Sequence, residues 1–298
     1  MSGTFPEGVR YFPFLQVLTI GDNAFTGPLS GEIISELSNV VDFEVNFNQF
    51  TGTVPSEVWQ MTKLNQLTVG NNMLKGTLPT EIGNLVDLLG LYMYQNQFTG
   101  TMPTEIGNLN NLYFFWIYST GLQGQFPNEV ANWSTIIWIS ISNSRFAGTL
   151  PTILGKMSNT LGNLEMAENS FTGTIPDSLY DLVNIQILDL QRNKLSGTIS
   201  PKIGTSFTQQ FVQLYLSENQ FTGTIPVQVA NLTAMDFAWF HDNNLVGTMP
   251  QAWCALQGGS VLGQLTADCT PGSNGVAQLS CSCCTLCCTA DGSSCMNQ

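Results

Sequence analysis

The chain has 298 residues, of which only 10% are charged, and its 21 acids against 8 bases leave a net charge of −13. Such a field repels nucleic acid and anionic membrane, so neither is an expected partner. No apolar run approaches the length that spans a bilayer, and the low charge content departs from the quarter usual in globular domains.

In chain order, one short unit recurs ten times: an apolar strand, a polar hinge residue, an aromatic or Leu, a Gly, then an apolar-Pro step, as in Phe50-Thr51-Gly52-Thr53-Val54-Pro55. The hinges are Asn23, Asn48, Asn72, Asn96, Thr120, Ser144, Asn169, Asn193, Asn219 and Asn243, spaced by 24 to 26 residues. A fixed period of this size predicts a solenoid, in which each coil buries its apolar face only against its neighbours. Gly stands four residues after every hinge, from Gly27 to Gly247, where the turn needs φ > 0 or the next coil leaves no room for a side chain. Phe or Leu stands two after it, a column suited to a stacked core. Ahead of the hinge, Leu64 to Asn72 and Leu88 to Asn96 follow the pattern Leu-x-x-Leu-x-Leu-x-x-Asn, with the apolar Val69 and Met93 at its third Leu, predicting short strands that stack into a parallel sheet. A buried Asn offers donors and an acceptor to backbone groups left unpaired where the chain leaves the strand, a task that Thr120 and Ser144 can fill only in part.

Counting back one period from Asn23 places Met1, Gly3, Phe5 and Pro6 on the Leu, Gly, apolar and Pro positions of a unit whose hinge precedes residue 1. The chain therefore reads as a fragment that begins inside a repeat. Alternatively, a neighbouring subunit covers the open N-terminal end, whose free sheet edge and core would otherwise be exposed.

Within each strand unit, positions three, five, seven and eight are expected to face outward. In the middle repeats these include Tyr92, Tyr94, Phe114, Trp116, Tyr118 and Trp138, six aromatic rings on one surface. Such a patch fits a ligand or partner, since Tyr and Trp combine flat area with a polar handle. The same rings also suit a sheet by β-propensity alone, and can cover one another. Further along, Glu165, Glu168, Asp189, Tyr215, Glu218, Trp239, His241 and Asp242 form an acidic stretch favouring cationic or hydroxyl-bearing partners, or simply keeping the face solvated. His241, the chain's single imidazole, reads as a solvated side chain rather than a catalytic or metal group. Asn132-Trp133-Ser134 and Asn231-Leu232-Thr233 are glycosylation sequons on Asn132 and Asn231, outside the strands. Thr follows the repeated Gly at Thr53, Thr77, Thr101, Thr149, Thr174, Thr198, Thr224 and Thr248, which would give a hydroxyl ladder at the strand spacing of about 4.8 Å.

All eight cysteines lie in the last 45 residues: Cys254, Cys269, Cys281, Cys283, Cys284, Cys287, Cys288 and Cys295. An even number in a Gly/Ser-rich tail predicts a disulfide cap formed in an oxidising compartment, with a zinc or metal-thiolate cluster as the other reading. The expected division is an array over 1–253 and a Cys-rich cap over 254–298.

These motifs resemble the plant-type leucine-rich repeat, with Glu105-Ile106-Gly107-Asn108-Leu109 and Asp177-Ser178-Leu179 filling the later half of its consensus, and the tail resembles that of secreted algal members. The resemblance implies an α/β-type solenoid of about ten repeats of 24 residues, a right-handed superhelix with a concave parallel sheet and a convex side of short 3-10 or irregular segments. It implies recognition of protein, peptide or glycan outside the cell, no chemistry, and a Cys254–Cys269 bond as in family caps.

Catalysis is disfavoured on the residues themselves. A Ser or Cys nucleophile needs a positioned base, and His241 has no Gly-rich elbow near it. Glu165 and Asp189 could pair as glycosidic acid and base, but an open sheet is expected to offer no pocket to raise either pKa. The function expected is therefore a non-enzymatic extracellular or lumenal recognition module without cofactors, free or as the ectodomain of a membrane protein. A structural subunit of a wall or larger complex, and ice binding through the Thr ladder, are the alternatives.

Overall fold

The structure is a computed structural model that describes residues 1–298 except 208–209, 258–262, 270–277, 290–294 and 298. It divides into two compact units, Met1–Phe146 and Ala147–Gln298.

In the first unit, apolar residues alternating with outward ones form six short parallel strands: Val17–Thr19, Asp42–Glu44, Gln66–Thr68, Gly90–Tyr92, Phe114–Trp116 and Trp138–Ser140. Their register advances by one repeat at a time, so Phe43 lies opposite Leu67, Leu67 opposite Leu91, Leu91 opposite Phe115 and Phe115 opposite Ile139. All five are fully buried. Beyond each hinge a second parallel row forms, including Gln49–Gly52, Met73–Gly76 and Gln97–Thr101. Pro79, Pro103 and Pro127 then start the 3-10 turns Thr80–Asn84, Thr104–Asn108 and Asn128–Asn132, which bury Ile82, Ile106 and Val130 on the return side. The second unit repeats this plan with Asn163–Glu165, Ile187–Asp189, Gln213–Tyr215 and Phe237–Trp239. The Phe/Leu column is buried in both units.

The hinge asparagines bind coil to coil. Asn72 Nδ2 donates to Val69 O (3.1 Å) and Gly70 O (3.3 Å) in its own coil and to Val45 O (3.0 Å) in the preceding one, while its Oδ1 accepts from Phe50 N at 2.9 Å. Asn48, Asn96, Asn193, Asn219 and Asn243 likewise donate to their own coil and the one before. At the two departures, Thr120 Oγ1 lies 3.1 Å from both Ile117 O and Ser144 Oγ, and neither hydroxyl replaces a full amide. There a hollow of about 410 Å³ opens, lined by Asn96, Gln97, Thr99, Ser119, Thr120, Gly121, Asn143 and Arg145.

Two conformational constraints flank each hinge. The repeated glycines have φ between +78° and +102°, and a Cβ on Gly76 or Gly100 would also meet the Thr53 or Thr77 methyl at 3.0 or 2.9 Å. Both sequence explanations therefore hold. The residue just before every hinge, from Asp22 to Asp242, is also left-handed, with φ of 50–55° although none is Gly. Sequence pattern gave no sign of this, because side chains as different as Phe47 and Arg192 occupy the position.

The cysteine tail extends the second unit. Gln264–Ala267 pairs in parallel with Phe237–Trp239, and Leu286–Cys288 with Gln264–Ala267. The bonds are Cys254–Cys283, Cys269–Cys287, Cys281–Cys284 and Cys288–Cys295. The expected Cys254–Cys269 bond is thus replaced. Ala267 is opposite Cys287, so strand pairing brings Cys269 to Cys287 and leaves Cys254, on the helix Gln251–Gln257, to Cys283. No cysteine remains as a thiolate ligand, which removes the zinc-cluster reading.

Asn72→Ala should lower stability by about 2–4 kcal/mol, because it strands a buried donor and several carbonyls. Asn71→Ala, one residue away, should cost under about 1 kcal/mol, and urea unfolding of the two variants checks the difference.

Candidate functional site

The parallel register gathers the aromatic residues of three successive coils. Phe114 is opposite Gly90 and Trp138, and Trp116 opposite Tyr92 and Ser140. Trp116 is the hub: its ring meets Tyr92 edge-on at 5.0 Å and Trp138 at 4.9 Å, with Tyr94 and Phe114 at 6.4 and 6.3 Å. Tyr94 stacks on Tyr118 at 4.9 Å with 6° between the planes. These are the offset-stacked and edge-to-face geometries that aromatic quadrupoles favour.

The rings cover one another. Tyr94 is only 9% exposed, while Tyr92, Phe114, Trp116, Tyr118 and Trp138 remain half-buried. Burial raises the Tyr92 and Tyr94 phenol pKa values, so both stay neutral. The Trp116 and Trp138 Nε1 groups are buried without an oxygen or nitrogen partner, in edge-to-face packing where an indole N–H can meet a π face. Two glycines make the arrangement possible. A Cβ at Gly70 would lie 2.6 Å from Tyr94 Cζ, and one at Gly90 would lie 2.6 Å from Tyr92 Cε2. Beside the rings is a hollow of about 230 Å³ lined by Glu44, Asn46, Gln66, Thr68, Tyr92, Tyr94 and Trp116, in which Gln66 Nε2 donates to Glu44 Oε1 at 2.6 Å.

In the second unit, the register aligns Glu165, Asp189, Tyr215 and Trp239 in one column. Tyr215 and Trp239 meet edge-on at 4.6 Å. Arg192 bridges Glu218 at 2.7 Å and Glu168 at 2.8 Å. The expectation of an unperturbed open sheet fails at Asp189. Burial pushes its pKa up to about 7, against hydrogen bonds from Gln191, and Glu165 and Glu168 push the same way. His241 is not freely solvated either: it is half-buried, and its Nδ1 lies 2.6 Å from Thr266 Oγ1. Elsewhere, Asn132 and Asn231 are exposed at the ends of their 3-10 turns, and all eight ladder threonines are exposed.

The family model of the Leucine Rich Repeat matches residues 184–206 and 210–232. Among solved structures, a TDR receptor aligns over 94% of this chain and 46% of its own at 29% identity, TM-score 0.83. The Arabidopsis receptor kinase HAESA, in complex with the peptide hormone IDA and the co-receptor SERK1, aligns over 100% of this chain and 46% of its own at 26% identity, TM-score 0.80. The protein is a leucine-rich-repeat solenoid. A plant ice-binding protein also aligns with this leucine-rich-repeat chain, over 84% of it and 71% of the other, at 25% identity and TM-score 0.61. No curated protein matches the sequence. The chain spans about half the length of the two receptor chains.

Three further residues complete the leucine-rich-repeat surface, of which Gly70 and Phe47 were not singled out from sequence. Gly70 and Gly90 matter for the space they leave, and Phe47, 41% exposed and left-handed at φ 51°, adds a ring 6.3 Å from Tyr94. Counting was the available signal for Phe47, which stands at outward position eight, just before hinge Asn48.

Asp189 yields a pH prediction. Its folded pKa of about 7 exceeds the ordinary aspartate value of 3.8, so the folded state holds a proton that the unfolded state releases. Stability from this group is present at low pH and is lost as pH rises from about 4 to about 7. Asp189→Asn should remove that loss and stabilise the protein at pH 8 by roughly 2 kcal/mol, read from thermal melts across the window.

Proposed function

We propose that the protein is a non-enzymatic recognition module working outside the cell, which binds a protein, peptide or glycan on its inner sheet through Tyr92, Tyr94, Phe114, Trp116, Tyr118 and Trp138. The observation that carries the reading is the set of mutually packed rings around Trp116 beside a polar hollow. Rings already fixed by their neighbours lose little freedom when a ligand settles on them. The similar HAESA chain was crystallised with a peptide hormone, which supports ligand binding as the use of such a sheet. The four disulfides fit an oxidising compartment, and no helix among the described residues is long and apolar enough to cross a membrane. Glycans on the exposed Asn132 and Asn231 belong to the same proposal.

Trp116→Ala should weaken capture of a soluble ligand by about 2 kcal/mol, roughly thirtyfold, while the folded circular-dichroism spectrum is kept. Glycan arrays and pull-down from extracellular extract read this out. Constitutive co-purification in a fixed complex, unaffected by competing ligand, would instead make the patch a subunit contact of a wall or larger assembly.

A second reading is favoured by one feature. The eight ladder threonines are all exposed, and the similar ice-binding structure is matched over most of its length. If that row orders water, the protein inhibits ice recrystallisation and Thr101→Lys with Thr174→Lys abolishes the effect, leaving Trp116→Ala without consequence. On the recognition reading, the unmodified protein shows no inhibition.

A further inference from the structure

We propose that Glu218, His241 and Asp242 form a site for a divalent first-row transition cation, with Zn²⁺ as the representative ion. One ligand atom from each residue lies within 4.8 Å of the other two. Two carboxylates alone would suit a hard cation surrounded by oxygen. An imidazole nitrogen shifts the preference toward zinc, nickel or copper.

The imidazole is held as a metal ligand would be. Its Nδ1 lies 2.6 Å from Oγ1 of Thr266, a residue only 2% exposed on the next strand. In the Nδ1–H tautomer the ring donates to that hydroxyl, and Nε2 is then the nitrogen with a lone pair to offer an ion. This contact lies outside the three candidate ligands, and it orients the ring without help from the carboxylates.

The backbone fixes the three positions relative to each other. Glu218 N donates to His241 O at 2.9 Å, Asn219 N to Asp242 O at 3.0 Å, and Asp242 N to Asp268 Oδ1 at 2.8 Å. Glu218 belongs to one coil and the other two residues to the next, so a bound ion would tie successive coils of the second unit together. Arg192 is the competitor: its Nε holds Glu218 Oε1 at 2.7 Å, leaving Oε2 as the oxygen for the ion. Because every cysteine is in a disulfide, no thiolate offers Zn²⁺ an alternative site.

The test uses the intact, unreduced chain stripped with chelator and titrated calorimetrically with Zn²⁺. One ion per chain is expected, with affinity reduced at least tenfold by His241→Ala and by the near-isosteric Asp242→Asn. Arg192→Gln, which removes the competing cation, should tighten binding. Cu²⁺ should quench Trp239, whose ring is 6.2 Å from that of His241, and the quenching should vanish in His241→Ala. A Kd for Zn²⁺ weaker than about 1 mM overturns the site. So does equal binding by the wild type and a folded Asp242→Asn, which keeps the conclusion independent of whether His241→Ala folds.

Discussion

The buried side-chain amide at the hinge is the interaction on which the rest depends. One asparagine answers three carbonyls and one N–H in two coils, at 2.9 to 3.3 Å in the case of Asn72. Those groups lie where the chain turns off the strand and the sheet ladder no longer serves them. Left unpaired in a dry interior, each would cost more than any single apolar contact there supplies. Bonding across coils also sets pitch and register together, because the amide fits only when each coil is one repeat out of step with the last.

From that register follow the side-chain columns. A three-residue strand is too short to build a surface, but equal strands in step place Tyr92 beside Trp116 and Phe114 beside Trp138. Edge-to-face packing then fixes the rings, and Gly70 and Gly90 supply the room beneath them. The aromatic coils also contain Thr120 and Ser144, where the amide is missing and the hollow opens on the flank.

In the second unit the same alignment stacks charge instead. Column neighbours Glu165 and Asp189 and the residues just before the hinges, Glu168, Glu218 and Asp242, are brought together with Arg192 as a bridging cation between two of them. The result is visible in the carboxyls that burial and like charge hold above their usual range, about 7 for Asp189 and about 6 for Asp268. An open sheet was expected to leave such groups unperturbed. Neighbouring strands on both sides exclude enough water to shift them.

The sequence by itself determined the solenoid, the ten hinges, the positive-φ glycines and the buried Phe/Leu column, because each depends on a repeated local requirement that every copy states again. It also named the six rings and the acidic stretch, since outward positions follow from counting along a strand. What it left open was anything that depends on two coils at once: how far Tyr94 is covered by its neighbours, the part played by Gly70 and Phe47, the contact between His241 and Thr266, and the pairing of Cys254 with Cys283 and of Cys269 with Cys287. Spacing along the chain fixes which residues recur on a face. Only the packing of one coil on the next decides which of them touch, which are shielded from water and which cysteine arrives beside which.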